Sequence, residues 1–215
     1  MNFLDKYNIN ITNKDLLLEA LTHTSYANEH NCNSYERLEF LGDAVLQLII
    51  SEYLYLNDHL KEGGMTKKRA SYVCEEALYR YAKEIGYISY IRVGHGQLND
   101  INETIIADIF EAILGCIYLD KGFEVAKKYI YQVVIPHIKK NEVYLSDYKS
   151  ALQELTQMNK KTLEYVVVSE TGPAHDRLFT VEVRIDDVIF GRGTGKSKKE
   201  AEQEAAKDAF NKQAK

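Results

Sequence analysis

Residues 35–50, YERLEFLGDAVLQLII, form an apolar run that carries three carboxylates and a glycine. Glu36, Glu39 and Asp43 are spaced three and four apart, which on a helix stacks them on one face. Leu38, Phe40, Leu41, Val45, Leu46, Leu48, Ile49 and Ile50 surround them, and a helix this apolar is mostly buried. Carboxylates clustered there repel one another and lose hydration, so they need a partner that the chain supplies or binds. A second run, IIADIFEAILG, presents Asp108 and Glu111 three apart from an equally apolar background. If the two helices pack face to face, Glu39, Asp43, Asp108 and Glu111 converge. Hard oxygen donors meeting at one point suit Mg²⁺ or Mn²⁺. Glu62, in the loop-like LKEGGMT just before a helix, could reach the same point.

Bland readings stand beside this one. A lone carboxylate pair on a helix is more often a solvated face or an ion-paired group, and Arg37 and Arg69 are at hand. Two pairs inside apolar runs bring the readings near even on spacing alone. A di-iron bundle wants two Glu-x-x-His motifs, and none occurs; an EF-hand loop is also missing. A glycosidase-like acid/base pair stays open on spacing.

The chain changes grammar after residue 137. Residues 1–137 read as helices: TNKDLLLEALTH with Thr12 as N-cap, long periodic runs at 36–55 and 65–86, then ETIIADIFEAILGCIYL and FEVAKKYIYQVVI, the last ended by Pro136. No strand alternation stands out there. Residues 138–147 read as a short linker. Residues 148–215 then give a helix, a strand at LEYVVVSE, and a strand at LFTVEVRI in which Phe179, Val181, Val183 and Ile185 alternate with polar neighbours. A tight turn at Asp186–Asp187 leads into VIFGRG. The closing helix has a Ser197-x-x-Glu200 capping box and an inner face of Ala201, Ala205, Ala209 and Phe210. The order is α-β-β-β-α. The 215 residues thus suit two domains.

Residues 1–145 carry 15 basic and 20 acidic side chains, which accounts for the whole net charge of −5; residues 146–215 carry 12 of each. The total argues against a simple electrostatic nucleic-acid binder, but charge acts locally. Arg192, Lys196, Lys198 and Lys199 crowd the approach to the last helix. Three widely spaced cysteines, Cys32, Cys74 and Cys116, fit free thiols in a reducing cytoplasm. No apolar run has the length of a membrane span, and the start has no signal-peptide pattern.

The motifs resemble a known family. ERLEFLGDAVL (36–46) is similar to the signature of the ribonuclease III family. ALTHTSYANE, EGGMTKKRASYV and IIADIFEAILGCIYLD match further blocks in order. ALQELTQ, GPAHDRLFTVEV and GTGKSKKEAEQEAA resemble a double-stranded-RNA-binding domain. The resemblance implies a multidomain protein: an all-α nuclease domain at 1–137 and an α-β-β-β-α RNA-binding domain at 148–215. It implies a homodimer through the nuclease domain, with Phe40 and Leu41 as candidates to meet the partner. It implies Mg²⁺-dependent hydrolysis of double-stranded RNA, Mn²⁺ substituting, to 5′-phosphate and 3′-hydroxyl ends with short 3′ overhangs. Ribosomal RNA precursors and other structured RNAs are the expected substrates.

Carried over by motif position, Glu39, Asp43, Asp108 and Glu111 hold the metal, with Asp43 and Glu111 the central catalytic pair. Glu62 and Glu36 are further candidates, Glu36 behind the site or at the dimer interface. No small-molecule cofactor and no membrane partner are implied. The alternative is a non-catalytic binder of double-stranded RNA that keeps the fold. Two positions depart from the family pattern. Lys68 replaces a usually apolar residue, which would tilt its helix or add an RNA-facing charge. The short segment 93–104 lacks the usual basic, glycine-rich stretch that contacts RNA.

A-form RNA is met by shape, 2′-hydroxyls and phosphates. Lys196, Lys198 and Lys199 sit at a helix N-terminus, where the dipole disfavours cations unless phosphates occupy it. Gln153 and Glu154 on the first helix of this domain could meet 2′-hydroxyls, and His175 at a hairpin tip could enter a minor groove. Read alone, these three are ordinary surface residues. His23 reads as a structural hydrogen-bonding residue.

Overall fold

The structure is a computed structural model. It describes residues 3–97, 101–142, 148, 149, 152, 153, 156, 157, 161–173 and 177–213, with backbone alone at 97, 210, 211 and 213. It forms two compact units, residues 1–142 and 143–215. The first reaches five residues past the boundary drawn at 137. Glu142 is the reason: its carboxylate meets His137 Nδ1 at 2.8 Å and Arg80 at 3.3 Å.

The first unit is helical: α1 (Lys14–Ala20), α2 (Thr24–His30), α3 (Glu36–Asn57), α4 (Glu62–Tyr72), α5 (Glu75–Ile85), α6 (Glu103–Lys121), α7 (Phe123–Val133) and α8 (Ile135–Lys139). Three local readings are corrected. Asn13, not Thr12, caps α1, its side chain accepting from the Leu16 N–H. The run at 65–86 is two helices, broken at Val73–Cys74, where Cys74 turns extended and Glu75 and Glu76 favour a new helix start. Pro136 opens α8 rather than closing α7, because the first turn of a helix needs no N–H from it.

α3 and α6 cross at the centre of this unit. Leu46, Ile49 and Ile50 of α3 and Ile109, Phe110, Ile113 and Leu114 of α6 are fully buried. Each such side chain contributes roughly 1.5–3 kcal/mol by leaving water. The crossing is in backbone contact. A Cβ built on Gly42 would overlap the carbonyl oxygen of Glu111, and one on Gly115 would overlap that of Leu38. This explains the glycine in the apolar run: only a residue without a side chain lets the two backbones approach so closely.

The second unit is an antiparallel sheet in the order β1 (Leu163–Thr171), β2 (Leu178–Ile185), β3 (Val188–Gly195), followed by α9 (Lys198–Gln213). The described residues between 148 and 157 are helical. Asp186 and Asp187 both have positive φ, 49° and 64°, the two-residue turn that matches strand twist. Val181, Val183 and Ile185 form the core with Leu152, Ala201, Ala205, Ala206 and Ala209, and Phe179 packs against its edge. The side chain of Phe210 lies outside the described residues. Gly191 and Gly193 let α9 lie directly on β3, since a Cβ at either would overlap the backbone of Ala205.

Candidate active site

The glycine crossing brings two acidic pairs, one on α3 and one on α6, into the same part of the helical unit. Glu39 and Asp43 flank Gly42 on α3; Asp108 and Glu111 lie one to two turns before Gly115 on α6. All four are half-buried. Burial, then the charges of Asp43, Glu39 and Asp108, pushes the Glu111 carboxyl up from 4.5 to about 8. Burial, then Asp108, Glu36 and Asp43, pushes Glu39 up to about 7. Asp108 is raised by burial, and a hydrogen bond from Tyr35 works the other way. These mutual terms place the four within reach of one another's charge.

No lysine or arginine among the described residues neutralises them. Arg69, a candidate for that role, donates to Ser51 Oγ at 2.8 Å. Gln47 donates to Asp43 Oδ1 at 3.2 Å. As the side chains lie, no three His, Cys, Asp or Glu groups among the described residues form a ready coordination sphere. The donor set, four hard oxygens without a counter-charge, fits a divalent cation.

The other candidates fall elsewhere. Glu36 opens α3, exposed, and accepts from Ser34 Oγ at 2.9 Å; its charge is felt by Glu39 and His23. Glu62 opens α4 and accepts from Thr66 Oγ1 at 3.1 Å. It lines a groove of about 220 Å³ with Ser51, Leu54, Tyr55, Met65 and Arg69. Those α3 residues lie more than two turns beyond Asp43, so within one chain Glu62 does not join the four. The Lys68 charge is paired within the chain. The side chain is half-buried and meets Asp58, the C-cap of α3, at 2.7 Å. His23 caps α2, its Nδ1 accepting from the Ser25 N–H at 3.2 Å, as the structural reading expects. In segment 93–104, His95 is engaged by Glu29 at 2.8 Å.

Sequence reading missed Tyr35. Its hydroxyl donates to Asp108 Oδ2 at 3.0 Å across 73 residues of chain, a pairing with no local signature.

In the sheet unit, Lys196, Lys198 and Lys199 are exposed at the start of α9. Ser197 Oγ accepts from the Glu200 N–H at 3.1 Å, and Glu200 reaches back to the Lys196 N–H at 2.7 Å. This capping box satisfies two backbone donors and keeps the lysine-bearing turn in place. Gln153 is exposed; Glu154 and His175 lie outside the described residues. Arg192 is not available to phosphate in the same way, because its guanidinium is held by Glu182, at 2.8 Å from Nε. Strand alternation would turn Glu182 away from the Val181–Val183 core face. It is instead 2% exposed, covered by Arg192 and by Arg184 at 2.9 Å.

Comparisons with known proteins cover both units. A family model described as Ribonuclease-III-like matches residues 13–138, and one described as a double-stranded RNA binding motif matches residues 148–213. Ribonuclease 3 of Onion yellows phytoplasma (strain OY-M) is 48% identical over 213 residues, covering 96% of this chain and 89% of that protein. Ribonuclease 3 of Streptococcus pneumoniae (strain Taiwan19F-14) is 49% identical over 213 residues, covering 95% and 92%. Among solved structures, the nuclease domain of ribonuclease III from Campylobacter jejuni aligns with a TM-score of 0.58 at 34% identity, over 62% of this chain and 94% of that one.

Proposed function

Because the chain belongs to the ribonuclease III family and is an endoribonuclease of double-stranded RNA, we propose that Glu39, Asp43, Asp108 and Glu111 carry its chemistry. The observation behind this is the uncompensated carboxylate cluster at the α3–α6 crossing. Dependence on a divalent metal comes with the family; Mg²⁺ as the ion, with Mn²⁺ substituting, is our reading.

A divalent cation, when bound, lowers the pKa of water and stabilises charge on phosphate oxygens. The residues of this chain would hold and orient it. Asp43 and Glu111, on either side of the backbone contact, are the central pair, with Glu39 and Asp108 one turn away on the same faces. The Glu111 and Glu39 carboxyls, both raised in the free protein, would have to give up their protons to hold a cation. The products are 5′-phosphate and 3′-hydroxyl ends with short 3′ overhangs, from ribosomal precursors and other structured RNAs in the cytoplasm. No helix of the described residues is long and apolar enough to cross a membrane. Double-stranded RNA is bound by the second unit, through Lys196, Lys198 and Lys199 with Gln153, Glu154 and His175.

The acting species is a homodimer. α3 exposes Phe40 (81%), Leu48, Tyr55 (75%) and Leu56, and residues 40, 44, 48 and 55 fall on one stripe. A row of large apolar side chains on one face marks an interface, and a two-fold axis would make it self-complementary. Half-buried Leu41 borders it. Two clusters would then face one duplex and cut both strands. End-labelled duplex RNA should be cut with Mg²⁺ and left whole with chelator; metal-independent cutting overturns the reading. The full chain should sediment as a dimer at micromolar concentration, and a monomer would contradict the paired cut.

A further inference from the structure

Tyr35 stands immediately before α3 and is 6% exposed. Its carbonyl accepts from the N–H groups of Leu38 and Glu39, both at 2.9 Å, and so starts the helix that bears Glu39 and Asp43. Its own N–H donates to the carbonyl of Thr22 at 2.9 Å. Thr22 is fixed in turn by Arg92, whose Nε donates to Thr22 Oγ1 at 2.9 Å and whose N–H donates to the Leu21 carbonyl at 2.8 Å. The His23 ring packs on the Tyr35 ring with centroids 5.8 Å apart. From this anchored position the hydroxyl crosses to α6 and donates to Asp108 Oδ2 at 3.0 Å. Burial and the neighbouring carboxylates raise the phenol well above its ordinary value, so it remains a donor.

We propose that Tyr35 is a positioning residue for the reaction: it engages one oxygen of Asp108, leaves the other to a cation, and ties that carboxylate to the start of the helix carrying Glu39 and Asp43. A carboxylate fixed through one oxygen is oriented before the cation arrives. Partners of this kind behind a metal ligand typically change affinity tenfold or more when lost. The inference rests on the reading of the four carboxylates as a cation site.

The test uses the full chain. Tyr35→Phe keeps the ring and removes only the hydroxyl. Tyr87→Phe is the control, because the Tyr87 hydroxyl is also buried but donates to the Ile106 carbonyl at 2.6 Å, not to a carboxylate. Mn²⁺ binding to the RNA-free protein is measured by calorimetry, with Glu111→Gln in parallel. Tyr35→Phe should weaken Mn²⁺ roughly tenfold, and half-saturating Mg²⁺ for cleavage should rise by the same factor. KM for duplex RNA and the rate at saturating Mg²⁺ should hold. Wild-type Mn²⁺ affinity in Tyr35→Phe overturns the proposal. So does an equal loss in Tyr87→Phe, which would make the effect one of packing. Equal Mn²⁺ binding by wild type and Glu111→Gln overturns the cation site itself, and the proposal with it.

Discussion

Glu111 in the helical unit and Glu182 in the sheet unit are both carboxylates set into packed structure, and they are held in opposite ways. Two arginines close over Glu182, and the hydrogen bonds from Arg184 and then Arg192 draw its carboxyl below the usual range. Glu111 faces burial and three other carboxylates, and its carboxyl rises to about 8. The sheet unit supplies a counter-charge to Glu182; no lysine or arginine among the described residues does so for Glu111. A carboxylate whose neighbours all oppose its charge costs stability in the free protein. On the proposed reading Glu111 is kept for what it binds, whereas Glu182 is kept for what it joins.

The sharpest way to break this comparison is chemical. Glu111→Gln or Asp43→Asn should lower duplex cleavage by at least about a thousandfold, some 4 kcal/mol of transition-state stabilisation. Duplex affinity should persist in a gel-shift measurement. Cleavage at near wild-type rate would place the chemistry elsewhere.

Next is stability, where the two glutamates should respond with opposite sign. Glu111 has a folded value near 8 against 4.5 when unfolded. Its contribution is therefore fully present below about pH 4.5 and is lost as pH rises through 8. Metal-free Glu111→Gln should accordingly be more stable than wild type at pH 8, on the order of 2 kcal/mol, and Mg²⁺ should stabilise the wild type alone. Glu182 has a lowered folded value, so its contribution is present above 4.5 and is lost as pH falls through that lowered value. Glu182→Gln should melt earlier than wild type at pH 8. Thermal denaturation with and without chelator reads both; shifts of one sign for both variants would erase the distinction.

The smallest effect belongs to the exposed charges. Lys198→Ala with Lys199→Ala should flatten the plot of log affinity against log salt by roughly two units, uniformly across duplex sequences, while Mn²⁺ binding is unchanged. An unaltered slope in filter binding would mean that these lysines only face solvent.

The same contrast marks what the amino-acid sequence makes legible. Glu39, Asp43, Asp108 and Glu111 can be read directly, because helical spacing is local and an apolar background makes a carboxylate conspicuous. The strand at 178–185 and the two-aspartate turn are legible for the same reason. Tyr35 is not, because its partner lies 73 residues away. Glu182 is hidden by the very alternation that identifies its strand, since the arginines that cover it come from positions 184 and 192. For Glu62 and Lys68, a loop position and a residue type do not say which end of α3 the next helix meets. The break at Val73–Cys74 is invisible to apolar periodicity, which continues across it.

The crossing at Gly42 and Gly115 carries a last consequence. The gauge between the two acidic helices is set by main chain against main chain, not by side chains that can exchange volume. Repacking elsewhere in the helical unit can loosen the protein without changing that gauge. A single methyl group at either glycine would change it at once. Two residues with no chemistry of their own therefore act as the machined stop of the proposed cation site, and a side chain at either should silence cleavage while all four carboxylates remain in place.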